Sequence, residues 1–107
     1  MLLVIDIGNT NTSLGVLEGE KLIKTFSFSS DIKKTDDEYG IMLLTILNHN
    51  SLITKIKGAI VSSVVPQLCE VFKSAILKYL KIEAVSLSYK SKMPIKLALV
   101  NNKEIGA

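Results

Sequence analysis

Leu2-Leu3-Val4-Ile5-Asp6-Ile7-Gly8-Asn9-Thr10-Asn11-Thr12-Ser13-Leu14-Gly15-Val16 decides how this chain is read. Leu2 to Ile7 is an apolar run long enough for one buried strand, with a carboxylate, Asp6, near its C-terminal end. Burying a carboxylate is costly unless something pairs with it or coordinates it. The turn that follows, Gly8-Asn9-Thr10-Asn11-Thr12, is built of small residues whose backbone N–H groups and hydroxyls can approach an anion closely. Asp6 plus this turn reads as a site for a metal-bound phosphate. Taken alone, Asp6 also fits a simple cap bonded to the N–H groups of the turn.

Working outward, residues 12–17 form a second strand, with Thr12, Leu14 and Val16 on one face. Glu18-Gly19-Glu20 is a hairpin turn signal. Residues 21–28 give a third strand in which Leu22, Phe26 and Phe28 share a face. Thr35-Asp36-Asp37-Glu38 has capping-box spacing, and Tyr39, Met42, Leu43, Ile46 and Leu47 recur behind it at helical spacing. This predicts a helix over 36–48 that ends at Asn48-His49-Asn50-Ser51. Gly58 to Val65 reads as a strand buried on both faces. Pro66 suits a first helical position, and Leu68, Phe72, Ala75, Ile76 and Tyr79 mark a helix to Leu80. Residues 82–87 form a fifth strand, followed by a loop with Pro94, an apolar stretch from Ile95 to Val100, and a polar end. The order β-β-β-α-β-α-β makes the chain one α/β domain with a mixed five-stranded sheet.

The 107 residues and 48 % hydrophobic content suffice for a packed core. The net charge is +3, and all 13 basic residues are lysines scattered from Lys21 to Lys103. Scattered lysines without arginine read as a solvated surface rather than a nucleic-acid footprint. Cys69 is the single cysteine, which excludes an internal disulfide and fits a reducing cytoplasm. Leu2 to Ile7 is too short to span a membrane, and no basic region precedes it as in a signal peptide. A soluble, cytoplasmic protein is expected. No Gly-x-x-x-x-Gly-Lys-Ser/Thr run occurs, so P-loop chemistry is excluded.

Four segments in order carry a resemblance: Asp6-Ile7-Gly8-Asn9-Thr10-Asn11-Thr12, Thr35-Asp36-Asp37-Glu38-Tyr39, Ser62-Ser63-Val64-Val65-Pro66, and Asn101-Asn102-Lys103-Glu104-Ile105-Gly106-Ala107. They resemble successive motifs of type III pantothenate kinase, within the acetate kinase, sugar kinase, Hsp70 and actin superfamily. The resemblance implies a ribonuclease-H-like half-domain, the first half of a two-lobed kinase, and ATP-dependent phosphorylation of pantothenate to 4′-phosphopantothenate, the first step toward coenzyme A. It implies that Asp6, Ile7, Gly8, Asn9, Thr10, Asn11, Thr12 and Ser13 hold the ATP phosphates, with Mg²⁺ at Asp6 through water or phosphate. Asn101, Gly106 and Ala107 fall on the pantothenate side. In the family, Gly-Ala is followed by Asp-Arg, whose aspartate is the general base, so the base is expected just after Ala107. A second half-domain, a monovalent cation (K⁺ or NH₄⁺) bound outside this chain, and a homodimer are implied as well. The chain alone is therefore expected to be inactive. It departs from the family pattern at Asn102, where proline is common, and at Leu99 and Val100, where an aromatic residue is common. A transcriptional regulator resembling the Bvg accessory factor and a non-kinase nucleotide-binding module are the alternatives.

Other polar residues have plainer readings. Ser62 and Ser63 fit both a helix start and a substrate contact. Asp36, Asp37 and Glu38 read as capping and helix-dipole residues. His49 reads as a surface residue at a helix end and Cys69 as a small core residue.

Overall fold

A computed structural model describes residues 1–87. The elements are β1 (Leu2–Ile7), β2 (Asn11–Glu18), β3 (Lys21–Ser29), α1 (Asp36–His49), β4 (Gly58–Ser63), α2 (Pro66–Leu80) and β5 (Val85–Leu87). They form one five-stranded sheet in the order β3-β2-β1-β4-β5. β1 pairs antiparallel with β2 and parallel with β4, so the strand carrying Asp6 is the central one. That position explains its composition: with neighbours on both edges, Leu3, Ile5 and Ile7 buried on one face and Val4 on the other, the strand has little use for polar side chains. The anticipated mixed α/β sheet and its element order are both present. The expectations for Ile95 to Val100, Asn101, Gly106 and Ala107 lie outside the described residues.

Three local readings change. The fourth strand stops at Ser63 rather than Val65, because the Ser63 hydroxyl accepts the Val65 N–H at 2.8 Å and donates to the Val65 carbonyl at 2.7 Å. This side-chain bond turns the backbone out of the ladder and into α2. The fifth strand begins at Val85 rather than at residue 82, and Val85–Leu87 pair with Ile60, Val61 and Ser62 of β4. In β3 the even-numbered alternation fails at one end. The register shifts between Val16, which faces Lys24, and Leu17, which faces Leu22, leaving Ile23 as the extra residue of a bulge. Ile23 thereby joins Phe26 and Phe28 against the core, and Leu22 falls on the opposite face.

Both helices pack on the face of the sheet that carries Phe28. Its ring lies 6.2 Å from that of Tyr39 in α1 and 6.0 Å from that of Phe72 in α2, and the latter two are 4.3 Å apart. Leu3, Ile5, Ile7, Leu14 and Val16 supply the sheet side of this core, all fully buried. Burial of this kind, at about 25 cal/mol per Å² of apolar surface, is what holds a small mixed sheet against its helices. The capping box forms as its spacing predicts: Thr35 Oγ1 accepts the Glu38 N–H at 3.2 Å and Glu38 Oε1 accepts the Thr35 N–H at 3.1 Å.

The remaining acidic residues of that cluster tie the helices together rather than only facing the dipole. Asp36 accepts the Ser74 hydroxyl at 2.6 Å and lies 3.2 Å from Lys78 Nζ, while Asp37 accepts the Tyr79 hydroxyl at 2.8 Å and lies 2.8 Å from the same Nζ. The Ser74 hydrogen bond, then Lys78, holds the Asp36 carboxyl below its usual range; Lys78, then Tyr79, does the same for Asp37. At the far end of α1 the capping falls to Asn50, whose side-chain amide donates to the Ile46 carbonyl at 2.7 Å, with His49 exposed beside it. Cys69 packs partly buried against the core, and burial pushes its thiol above the usual range, away from nucleophilic character.

Candidate functional site

The site begins where β1 ends. Alternation along β1 sends Leu3, Ile5 and Ile7 into the helix-covered core, and Asp6 to the other face. Pairing then decides what stands beside the carboxylate. Asp6 is opposite Ser13 on β2 and Ser62 on β4, and Ser13 is opposite Ser27 on β3. The row Ser27, Ser13, Asp6, Ser62 crosses four adjacent strands. The next row, Thr25, Gly15, Val4, Ile60, Val85, carries no charge. Ser62 is fully buried, and its Oγ has no hydrogen-bond partner among the described residues.

After Ile7 the chain turns tightly. The Gly8 N–H donates to the Asn11 carbonyl at 2.9 Å. A Cβ on Gly8 would lie 2.9 Å from that same oxygen, so only glycine fits without moving the turn. Asn9, Thr10 and Asn11 are exposed at its tip, and Gly8 and Ser13 are half-buried. Thr12 is different. It is fully buried on the helix-facing side, where its hydroxyl lies 2.8 Å from Ser30 Oγ. The eight residues from Asp6 to Ser13 are thus divided: Asp6 and Ser13 share one face, residues 9–11 form the exposed tip, and the Ile7 and Thr12 side chains belong to the core.

Ser30, just past the end of β3, is the brace of the turn. Its hydroxyl donates to the Gly8 carbonyl at 2.7 Å and its N–H donates to the Thr10 carbonyl at 2.8 Å. No local signal marks it. Only the pairing of Asn11 with Ser29 brings it there. The loop behind Ser30 is anchored in turn by Tyr39, whose buried hydroxyl donates to the Asp31 carbonyl and accepts the Asp31 N–H, each at 2.9 Å. Burial pushes the Tyr39 phenol above its usual range, keeping it a neutral donor.

The other side of the turn meets α2. The Val64 N–H donates to the Ile7 carbonyl at 3.1 Å, so the entry to α2 lies beside the start of the Gly8 turn. The first turn of α2 has no acidic side chain to offset the partial positive charge of its N-terminus. Ser63 serves the helix start described above, and Ser62 stands in the Asp6 row, which separates the two residues that sequence alone leaves together. Among the described residues there is no group of three or more His, Cys, Asp or Glu placed to hold a metal ion. A single carboxylate with neighbouring hydroxyls and N–H groups instead suits a hard cation that keeps most of its ligands as water and phosphate oxygens. The described residues include no helix long and apolar enough to cross a membrane.

Comparison with known proteins extends this picture. A family model for type III pantothenate kinase matches residues 2–107. The curated type III pantothenate kinase of Geobacillus kaustophilus is 38% identical over 108 aligned residues, covering 100% of this chain and 42% of that protein. The chain thus spans about two fifths of the length of this relative. Among solved structures, a provisionally assigned N-acetylglucosamine kinase from Porphyromonas gingivalis superposes with a TM-score of 0.61 at 19% identity, covering 80% of this chain and 34% of that one. At that identity the likeness speaks for the fold alone.

Proposed function

The chain belongs to the type III pantothenate kinase family, and on that premise we propose that its protein transfers a phosphoryl group from ATP to pantothenate, giving 4′-phosphopantothenate. The observation that carries the reading is the position of Asp6. It stands at the C-terminal end of the central strand, directly before a glycine turn whose exposed tip offers small polar groups. Ligand sites of α/β sheets collect at the carboxyl ends of strands.

In this reading Asp6 holds Mg²⁺ through water or phosphate oxygens, and Gly8, Asn9, Thr10, Asn11 and Ser13 contact the ATP phosphates with backbone N–H groups and side-chain donors. Ile7 and Thr12 contribute through their backbone, since their side chains lie in the core. The N-terminus of α2 adds a favourable field for anionic groups. Bound Mg²⁺ would neutralise charge developing on the transferred phosphoryl group. This chain's residues would fix the phosphates in place, and positioning accounts for much of the rate in such transfers. Asn101, Gly106 and Ala107 are assigned to the pantothenate side, with an aspartate immediately beyond Ala107 as base toward the acceptor hydroxyl. A homodimer, a K⁺ or NH₄⁺ requirement and a cytoplasmic location complete the proposal.

The test is pantothenate-dependent formation of ADP by the protein that carries this chain, and by residues 1–107 alone. Turnover by the former and none by the latter is expected. Asp6→Asn should lower kcat/KM roughly a hundred-fold or more, as removal of a group stabilising transition-state charge does. Nucleotide hydrolysis indifferent to pantothenate would select a non-kinase module, and salt-sensitive DNA binding without nucleotide binding would select a regulator.

A further inference from the structure

We propose that Ser62 is a positioning residue of the Asp6 site: its hydroxyl hydrogen-bonds to the oxygen shell of the hydrated cation and phosphate that Asp6 holds. The inference rests on the reading of Asp6 given above and adds to it a residue on a different strand.

The parallel pairing of β1 with β4 puts Ser62 directly beside Asp6 and on the same face of the sheet. Neighbouring strands lie about 4.8 Å apart, so one oxygen ligand can reach both side chains. Ser62 is fully buried, and its Oγ has no hydrogen-bond partner among the described residues. Buried hydroxyls in folded proteins are nearly always satisfied, and one that is not calls for a reason. Alanine or valine would fill a buried strand position at lower cost. The neighbouring Ser63 shows what a structural serine does here: it bonds to Val65 on both of its hydrogen-bonding functions. Among the described residues Ser62 makes no such bond. The site that Asp6 and the Gly8 turn form would supply an acceptor for it. Mg²⁺ dehydrates reluctantly and retains several waters, so a hydroxyl one strand away suits its outer shell better than direct ligation. Such outer contacts orient the ligands that touch the metal.

The experiment compares the parent protein, Ser62→Ala and Asp6→Asn by thermal unfolding, without ligand and with MgATP over a range of Mg²⁺ concentrations. Without ligand, Ser62→Ala should melt at or above the parent temperature, because an unsatisfied buried hydroxyl has been removed. With MgATP its upward shift should shrink, and the Mg²⁺ needed for a half-maximal shift should rise about ten-fold, the low end for one hydrogen bond to a charged group. Asp6→Asn should abolish the shift. If Ser62→Ala keeps the parent's full shift and Mg²⁺ requirement, the inference is wrong while the reading of Asp6 stands. If Ser62→Ala melts well below the parent without ligand, the hydroxyl is structural and the inference is again wrong. If the parent itself shows no shift, or Asp6→Asn shifts like the parent, the reading of Asp6 fails and the inference falls with it.

Discussion

The Ser30 hydroxyl donates to the Gly8 carbonyl at 2.7 Å and lies 2.8 Å from the hydroxyl of the fully buried Thr12. One side chain at the end of the third strand therefore sets both ends of the turn after the first. The bond spans 22 residues of sequence. It links the candidate phosphate turn to the loop that enters α1.

Ser30→Ala removes both side-chain bonds and leaves the Thr12 hydroxyl without the partner it has here. Leaving a buried polar group unpaired costs about 1–3 kcal/mol. Urea unfolding should show a loss in that range. The thermal shift produced by MgATP should also fall, because the turn is no longer held at both ends.

Gly8→Ala places a Cβ 2.9 Å from the Asn11 carbonyl oxygen, the acceptor of the Gly8 N–H itself. Neither atom can move without opening the turn. A loss of about 1–3 kcal/mol is expected from the forced fit, with a larger effect on nucleotide affinity than at Gly19, where a Cβ would meet nothing. Isothermal titration with MgATP on the two variants checks the difference.

Gly40→Ala would ordinarily stabilise a helix interior by about 1 kcal/mol. Here the added methyl overlaps the Tyr79 ring, which the Asp37 carboxylate holds at 2.8 Å through its hydroxyl. The sign should reverse, to a loss of about 1–3 kcal/mol. Combining Gly40→Ala with Tyr79→Ala should recover the helix-propensity gain. A double-mutant cycle by chemical denaturation reads this coupling directly.

The Asp36, Asp37 and Lys78 cluster predicts a pH dependence with a definite sign. Both carboxyls are held below their ordinary value of 3.8, and Lys78 above its ordinary 10.5 by the hydrogen bonds it donates to Asp37 and then Asp36. A carboxyl lowered by folding contributes stability above its unfolded value and loses it as pH falls through its folded value. A raised lysine contributes below its unfolded value and loses it as pH rises through its folded one. The stability difference between the parent and Lys78→Met should thus be level between these limits. It should close below pH 3.8 and above pH 10.5. Melting temperatures of both proteins across acid and neutral pH test the acid limb.

Much of the fold was legible because its signals are local. The period of Tyr39, Leu43 and Leu47, the Thr35 to Glu38 capping box and the Gly19 turn each depend on residues within a few positions. So does the motif around Asp6, which is read from contiguous residues. The early end of β4 is local too, set by Ser63 bonding to Val65 two residues on, but other side chains take their places only through a partner outside the local window. Leu22 and Ile23 exchange faces because a bulge forms only against β2. Thr12 turns away from the tip because its strand face belongs to the core. Asp36 and Asp37 find Ser74, Lys78 and Tyr79 only when α1 lies on α2.

By itself, then, the sequence determined the order of strands and helices, the carboxylate at the end of the first strand, and the glycine turn beyond it. Tertiary structure alone decided that Ser27, Ser13, Asp6 and Ser62 stand in one row, and that Ser30 braces the turn. The physical reason is register. Side-chain periodicity says which residues share a face of one strand, but which residues meet across strands depends on pairings between segments far apart in the chain. Those are set by the common burial of the whole core.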